Sequence, residues 1–395
     1  MAEVEQHRRL QIAYLTAEDP QSKYAWSGTT YYMAQALQKH CGDVHYLGPI
    51  MSFERRVIGR LMHEASRKAL GKNIAYDRLP FVAKKQAKIA SQRLASGAFN
   101  LIFAPIGPPE VALLETDIPI ILALDITFAL QHNYHERYSA LLPWSVKMSN
   151  KIEEMAYQRA SALIYPGRWS ARSAIEDYHV DSQKVHIVPF GANLDVPPNG
   201  KIVRNRRRSH RCRLLFMGLG WERKGGDIAF ETLLKLEEMG IEAELIVCGN
   251  TPPAGLSHER MKVIPFLNKH DEKQYEELEQ LYTTSDFLLL PTRCDCFPIV
   301  FCEASAFGLP VVTAHTGGVS DAVLNGINGY VLPYEARGAD YARVIAELFR
   351  DETRYAKLVE SSRAMFENKY NWDVWGVTMN TILQHMAAPV PAYIP

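Results

Sequence analysis

The stretch Phe287-Leu-Leu-Leu-Pro-Thr-Arg-Cys-Asp295-Cys-Phe-Pro-Ile299-Val-Phe-Cys-Glu303-Ala-Ser-Ala-Phe-Gly-Leu-Pro310-Val311-Val-Thr-Ala314 decides the fold. An apolar run ends at Leu290, a turn carrying Pro298 follows, a helical segment opens near Ile299, and residues 311–314 are apolar again. Short, wholly apolar runs separated by a turn and a helix are the mark of strands covered on both faces in a parallel sheet. Read outward, the pattern repeats. Residues 214–217, 243–248 and 262–264 read as strands, with a glycine-bearing turn at 218–226 and a helix at 228–239 after the first of them. Toward the N-terminus, strands are predicted at 10–16, 101–104, 118–124, 162–165 and 185–189. Ser27-Gly28-Thr29 forms the first turn, and a helix over 31–40 has Met33, Ala34 and Leu37 on one face.

Between these two series the alternation stops. Pro197-Pro198-Asn199-Gly200 is followed by Lys201, Arg204, Arg206, Arg207, Arg208, Arg211 and Arg213, a linker by composition. The expected architecture is α/β in two doubly wound, Rossmann-like domains. They cover 1–199, completed by a C-terminal helix within 372–395, and 214–371, joined by a basic linker at 200–213. A length of 395 residues fits two domains at roughly 150 residues or somewhat more each. Two such halves imply a cleft, and open parallel sheets bind ligands outside the carboxyl ends of their strands.

Composition removes several function classes. The 44 basic residues balance 44 acidic ones, so no net charge suggests a nucleic-acid coat, and no nucleic-acid partner is expected. The charged start Met-Ala-Glu-Val-Glu-Gln-His-Arg-Arg lacks a signal-peptide core, and no window holds the ~20 apolar residues of a spanning helix, so a cytoplasmic location is expected. Six cysteines, two of them in Cys294-Asp295-Cys296, have neither disulfide-scaffold density nor zinc spacing, and are expected reduced. One segment is charge-biased. Over 53–93 eleven basic residues face only Glu54, Glu64 and Asp77, while Val57, Ile58, Leu61, Met62, Ala65 and Ala69 recur at helical spacing. It reads as a solvated helix face, or as a contact for an anionic acceptor or a membrane surface, peripheral and on the inner side.

The chemistry is concentrated after the strand ends. The first N–H groups of a helix opening at Ile299 lack intrahelical partners and carry the positive end of its dipole, which suits a diphosphate. Glu303 lies one turn inside, placed to accept hydrogen bonds from a ribose diol; Asp295, eight residues earlier, is in reach of sugar hydroxyls. Asp295 as a helix cap and Glu303 as a plain surface acid remain alternative readings. His132 and His135 read as surface or structural histidines.

With its surroundings the stretch resembles the acid-x7-acid motif of the family 4 retaining glycosyltransferases, usually Glu-Gly-Phe-Gly/Pro-x3-x-Glu-Ala-x-Ala-x-Gly-Leu-Pro-Val-Val. The agreement runs from Phe297 through Gly318, and Asp295 stands where that family usually has glutamate. Leu214-Leu-Phe-Met-Gly218-Leu-Gly220-Trp-Glu-Arg223-Lys224-Gly-Gly226 resembles the family's strand, glycine turn and Glu-Lys-Gly segment. There a lysine, with an arginine upstream, neutralises the donor diphosphate. Lys224 matches; no arginine stands upstream at Gly218 or Leu219, and Arg223 is the substitute. Trp26-Ser27-Gly28-Thr29-Thr30 is similar to the family's glycine loop at the donor phosphates. Leu124-Asp125-Ile126-Thr127-Phe128 is similar to its acceptor loop, with Asp125 but no adjacent histidine. Val263-Ile264-Pro265-Phe266-Leu267 corresponds to the strand end whose backbone meets the base, and Ile187-Val-Pro-Phe-Gly191-Ala-Asn193 to the closing strand and its loop.

The resemblance implies the GT-B arrangement, two Rossmann-like domains facing across a cleft, and transfer of a hexosyl unit from a nucleotide-diphosphate sugar with retention. UDP is the first expectation for the base, with GDP and ADP as alternatives, and the acceptor is a hydroxyl of a glycan, lipid or small molecule. No metal and no cofactor are implied. Asp295, Glu303, Lys224, Arg223 and Asp125 are the implied catalytic residues. Phe297, Pro298, Ile299 and Val300 join the glycine turns, Arg223, Lys224, Phe266, Leu267 and Glu303 at the donor. A nucleotide-sugar 2-epimerase, a phosphorylase and a non-catalytic binding subunit on the same scaffold are the rival readings.

Overall fold

The computed structural model describes residues 9–204, 206–208 and 210–387. The predictions that reach into 1–8 and 388–395 lie outside the described residues. The chain divides into two compact units, one running to Pro189 and resumed from Trp375 onward, the other spanning Phe190–Val374.

The first unit holds a six-stranded sheet of β1 (Leu10–Tyr14), β2 (Gly42–Tyr46), β3 (Leu101–Pro105), β4 (Ile120–Ala123), β5 (Ala162–Tyr165) and β6 (Val185–Ile187). Their order is β2-β1-β3-β4-β5-β6, and every neighbouring pair is parallel. The sequence forces this. β3, β4 and β5 contain no exposed residue, so both faces must be covered, and helices such as Pro80–Leu94 and Pro143–Arg159 cover them. The order reverses between β1 and β3, and the chain leaving β1 carries Trp26, Ser27 and Gly28.

The second unit repeats the plan with β7 (Cys212–Met217), β8 (Ala243–Cys248), β9 (Met261–Ile264), β10 (Phe287–Leu290), β11 (Val311–Ala314) and β12 (Gly329–Leu332). The order is β12-β11-β10-β7-β8-β9, again parallel throughout. Here the order reverses between β7 and β10. The connections from these two strands leave in opposite directions, which opens a crevice at their carboxyl ends. Leu214 pairs with Phe287, and Leu288 with Val311, so the quoted stretch sits at the centre of the sheet.

Two strands escaped the sequence reading, β2 and β12. Both are edge strands with mixed burial, and Gly42-Asp-Val-His-Tyr has no apolar run to announce it. The stretch expected as a linker also differs. Its described part packs on the second unit. Val203 is buried in the short helix Gly200–Arg204, Arg206 Nη1 donates to the carbonyls of Tyr282 and Phe307 at 3.0 Å each, and Cys212 already opens β7. Arginine-rich composition suggested solvent because the bond that takes Arg206 inward joins residues about a hundred positions apart. Positions 205 and 209 of that stretch lie outside the described residues.

From Trp375 onward the helix Trp372–Met386 belongs to the first unit. Trp375, Met379 and Leu383 recur every four residues and are fully buried, with the Trp375 ring edge-on to Phe103 at 6.1 Å. Among the described residues no helix is long and apolar enough to cross a membrane. Trp375→Ala should cost about 3–5 kcal/mol, the usual penalty for emptying a large aromatic site. Urea denaturation checks it, and a change below about 1 kcal/mol would show that this helix is not part of the first core.

Candidate functional site

The chain leaving β7 passes Gly218 and Gly220, makes one helical turn at Trp221–Lys224, and reaches Gly225. Gly225 has φ +77°, and a Cβ there would stand 2.1 Å from the Pro291 carbonyl oxygen. Only glycine lets the turn after β7 lie this close to the turn after β10. The approach is sealed by Arg293 N–H donating to the Arg223 carbonyl at 2.8 Å.

That contact brings together residues some seventy positions apart. Lys224 is buried, and its Nζ donates to both carboxylate oxygens of Asp295 at 2.8 Å. Asp295 Oδ2 also accepts from Thr292 Oγ1 at 2.6 Å, and Oδ1 lies 3.5 Å from Arg223 Nη1. Arg223 is braced by the carbonyls of Cys294 (3.1 Å) and Leu219 (2.9 Å). Asp295 therefore does not cap the following helix; Ile299–Ala306 starts at Pro298 with no side-chain cap. Its first N–H groups receive no side-chain cap, and Phe301 N–H bonds the Pro298 carbonyl at 3.0 Å.

Glu303 is buried one turn inside that helix. Its carboxylate accepts from Lys269 Nζ (2.5 Å) and from Tyr282 Oη (2.6 Å). Neither partner was found from the sequence. Lys269 lies in the loop after β9 and Tyr282 in the helix Glu272–Thr284, and no local pattern ties either to position 303. Burial and the Glu303 carboxylate push the Tyr282 phenol well above its usual value, so it remains a donor at any physiological pH. Tyr282 Oη also touches Met217 Sδ at 3.3 Å, and Lys269 Nζ donates to the Asn193 carbonyl at 3.0 Å. Glu303 is thus tied through Tyr282 to the end of β7, and Asp295 to Lys224 in the turn after that strand.

Arg223, Lys224 and Lys269 carry three positive charges against the two of Asp295 and Glu303. The balance favours an anion at the open end of the helix. The buried ring of Phe297 packs edge-on to Phe190 and Tyr370. Pro298 is buried, Ile299 and Val300 are half-buried, Phe266 after β9 is exposed and Leu267 is buried.

The first unit has its own cluster. Trp26 and Ser27 adopt left-handed backbone (φ 48° and 57°) ahead of Gly28 and Thr29. Such geometry costs about 1 kcal/mol or more per non-glycine residue and is kept only where surroundings impose it. Here Trp26 Nε1 donates to Asp125 Oδ2 at 3.1 Å, and Ser170 Oγ donates to the Asp125 carbonyl at 2.5 Å. All six cysteines are free, and burial pushes the Cys248 thiol up to about 12. Among the described residues no three His, Cys, Asp or Glu side chains gather in a way that could hold a metal ion.

Lys269→Met would leave Glu303 as a buried carboxylate with one neutral donor. The expected loss is about 3 kcal/mol of stability, read as a lowered Tm, whereas Lys269→Arg should restore most of it. Equal Tm values for the Met variant and the unaltered chain would remove Lys269 from this site.

Residues 203–365 match the family model described as glycosyl transferases group 1. A D-inositol 3-phosphate glycosyltransferase of Xylanimonas cellulosilytica is 28% identical over 261 residues, which is 61% of this chain and 60% of that protein. The match thus spans about three-fifths of the relative's length. Among solved structures, Anabaena Alr3699/HepE in complex with UDP superposes with TM-score 0.65 at 14% identity, covering 95% of this chain and all of that one. Sucrose-phosphate synthase of Thermosynechococcus elongatus gives 0.67 at 14% identity over 95% and 99% of the two chains. The chain therefore has the two-Rossmann-unit fold called GT-B, and the part of it that matches the glycosyl transferases group 1 model contains Lys224, Asp295 and Glu303.

Proposed function

We propose that this chain is a family 4 retaining glycosyltransferase that takes a hexosyl unit from a nucleotide-diphosphate sugar, a UDP-sugar in the first instance, and passes it to a hydroxyl acceptor. One observation carries the reading. An uncapped helix start at Ile299 follows Asp295, which Lys224 and Arg223 engage, and Glu303 lies one turn inside it, after the β10 strand at the strand-order reversal of a parallel sheet. A diphosphate placed on the Ile299 and Val300 amides meets the ammonium of Lys224 and the guanidinium of Arg223. The adjoining ribose meets Glu303. The backbone after β9, at Phe266 and Leu267, takes the base, and Gly218 and Gly220 keep the phosphate path free of side chains. The glycosyltransferase names among the relatives, and the UDP and UDP-glucose complexes of the similarly folded Anabaena protein, support the same reading.

In the transfer step the bond from the anomeric carbon to the β-phosphate oxygen breaks, and its electron pair leaves with the nucleoside diphosphate. Lys224, Arg223 and the helix amides stabilise that developing charge with dipoles already in place. The acceptor oxygen bonds the same carbon on the same face, and its proton passes to a phosphate oxygen of the departing group. Asp295, gripped by Lys224 in the free protein, is placed to take sugar hydroxyls once the diphosphate shares the lysine. Asp125, fixed by Trp26, orients the acceptor together with the Gly28 and Thr29 turn. The charge that a metal would bring elsewhere is supplied here by fixed cations.

A thermal-shift series with UDP-, GDP- and ADP-sugars tests the reading, since a ligand bound to the folded state raises Tm with its concentration relative to Kd. UDP-sugars should give the largest rise, and a flat response to all three classes would overturn the assignment. Glu303→Ala should weaken donor binding roughly 10–100-fold through the lost charged hydrogen bonds. Lys224→Ala should mainly lower kcat, by roughly 10²–10³-fold. Near-normal kinetics in both variants would count against the site.

A further inference from the structure

The segment Glu54–Leu70 is a continuous helix, with π geometry over Glu54–Gly59 and α geometry over Arg60–Leu70. A surface helix ordinarily turns its apolar residues to the core. This one does the reverse. Its inward side is made of Gly59, against the Tyr76 side chain, His63, whose Nδ1 meets the Ile74 carbonyl at 2.8 Å, and Ser66, whose Oγ donates to the Lys72 carbonyl at 2.8 Å. Arg55 is also turned inward, to Glu110 at 2.6 Å. The residues left outside are Phe53 (60% exposed), Ile58, Leu61 (64%), Met62 and Leu70 (62%), with Phe81 on the next helix. Six of the nineteen large apolar side chains that are exposed among the described residues therefore crowd into positions 53–81, a density that scattered surface residues do not reach.

The same surface is cationic. Arg56, Arg60, Lys68 and Lys72 are exposed between the apolar side chains, and Lys84, Lys85 and Lys88 follow on the helix Pro80–Leu94. A second copy of the chain would set this charge against itself. A soluble anion would answer the cations and leave the apolar side chains in water. An anionic lipid surface answers both, because apolar side chains enter the boundary between headgroups and acyl chains while Lys and Arg reach up to the phosphates. We propose that the face carrying Phe53, Ile58, Leu61 and Met62, with the lysines and arginines among them, docks this protein on an anionic phospholipid bilayer. The proposal is independent of the donor reading, since none of these residues belongs to the site described above.

Co-sedimentation of the full chain with phosphatidylcholine vesicles, with and without phosphatidylglycerol, tests it at low and high salt. The chain should pellet with the anionic vesicles, far less with phosphatidylcholine alone, and be released as salt screens the charges. Leu61→Ser with Met62→Ser, and separately Lys68→Gln with Lys72→Gln, should each lower vesicle affinity roughly tenfold or more. Both pairs should leave Tm unchanged, since all four side chains are exposed. Failure to pellet with anionic vesicles at low salt would overturn the proposal. So would binding that neither double variant weakens. A lipid-free dimer dissolved by Leu61→Ser with Met62→Ser would overturn it in favour of a second copy on this face.

Discussion

Placing cations at the mouth of a parallel sheet is costly unless each has a counter-charge, and the second unit is organised around meeting that demand. Lys224 is buried with both oxygens of Asp295 on its ammonium, and the pair survives there only because Thr292 and Arg223 satisfy the remaining carboxylate positions. The arrangement fixes the turn after β10, leaves the helix Ile299–Ala306 without a side-chain cap, and so keeps its positive end open. Glycine at 225 is what permits the two turns to touch.

A second buried ion pair does the corresponding job for Glu303. Lys269 and Tyr282 come from different elements and grip one oxygen each, so the carboxylate is held in one orientation before any ligand arrives. Asp295 and Glu303 thus each have a lysine partner. On the proposed function this is preorganisation: the donor exchanges one set of charge partners for another, and no buried charge is ever left bare. The strained turn at Trp26 and Ser27, tied to Asp125 in the first unit, follows the same logic, with a costly local geometry kept by a specific hydrogen bond.

The helix Glu54–Leu70 obeys a different constraint. In β3, β4 and β5 apolar side chains are fully withdrawn from water. Here small and polar residues pin the helix to the body, and its apolar side chains face out. That inversion is invisible to periodicity, which reports that a face is apolar and not which way it points.

Both sheets could be read from apolar runs and the turns between them, because strands covered on two faces tolerate nothing else. The glycine turn with Lys224, and Asp295 ahead of a helix start, were equally legible, because each is a local pattern. The edge strands Gly42–Tyr46 and Gly329–Leu332 were not, since one open edge relaxes the demand for apolar residues. Nor was the inward turn of Arg206, nor the grip of Lys269 and Tyr282 on Glu303, each a contact between distant segments. Short-range order, which strands exist and where the chain must turn, is dictated by the side chains of a dozen consecutive residues. Which charges meet is decided only when distant segments pack, because a salt bridge or a buried hydrogen bond depends on distance in space, and spacing along the chain does not encode it.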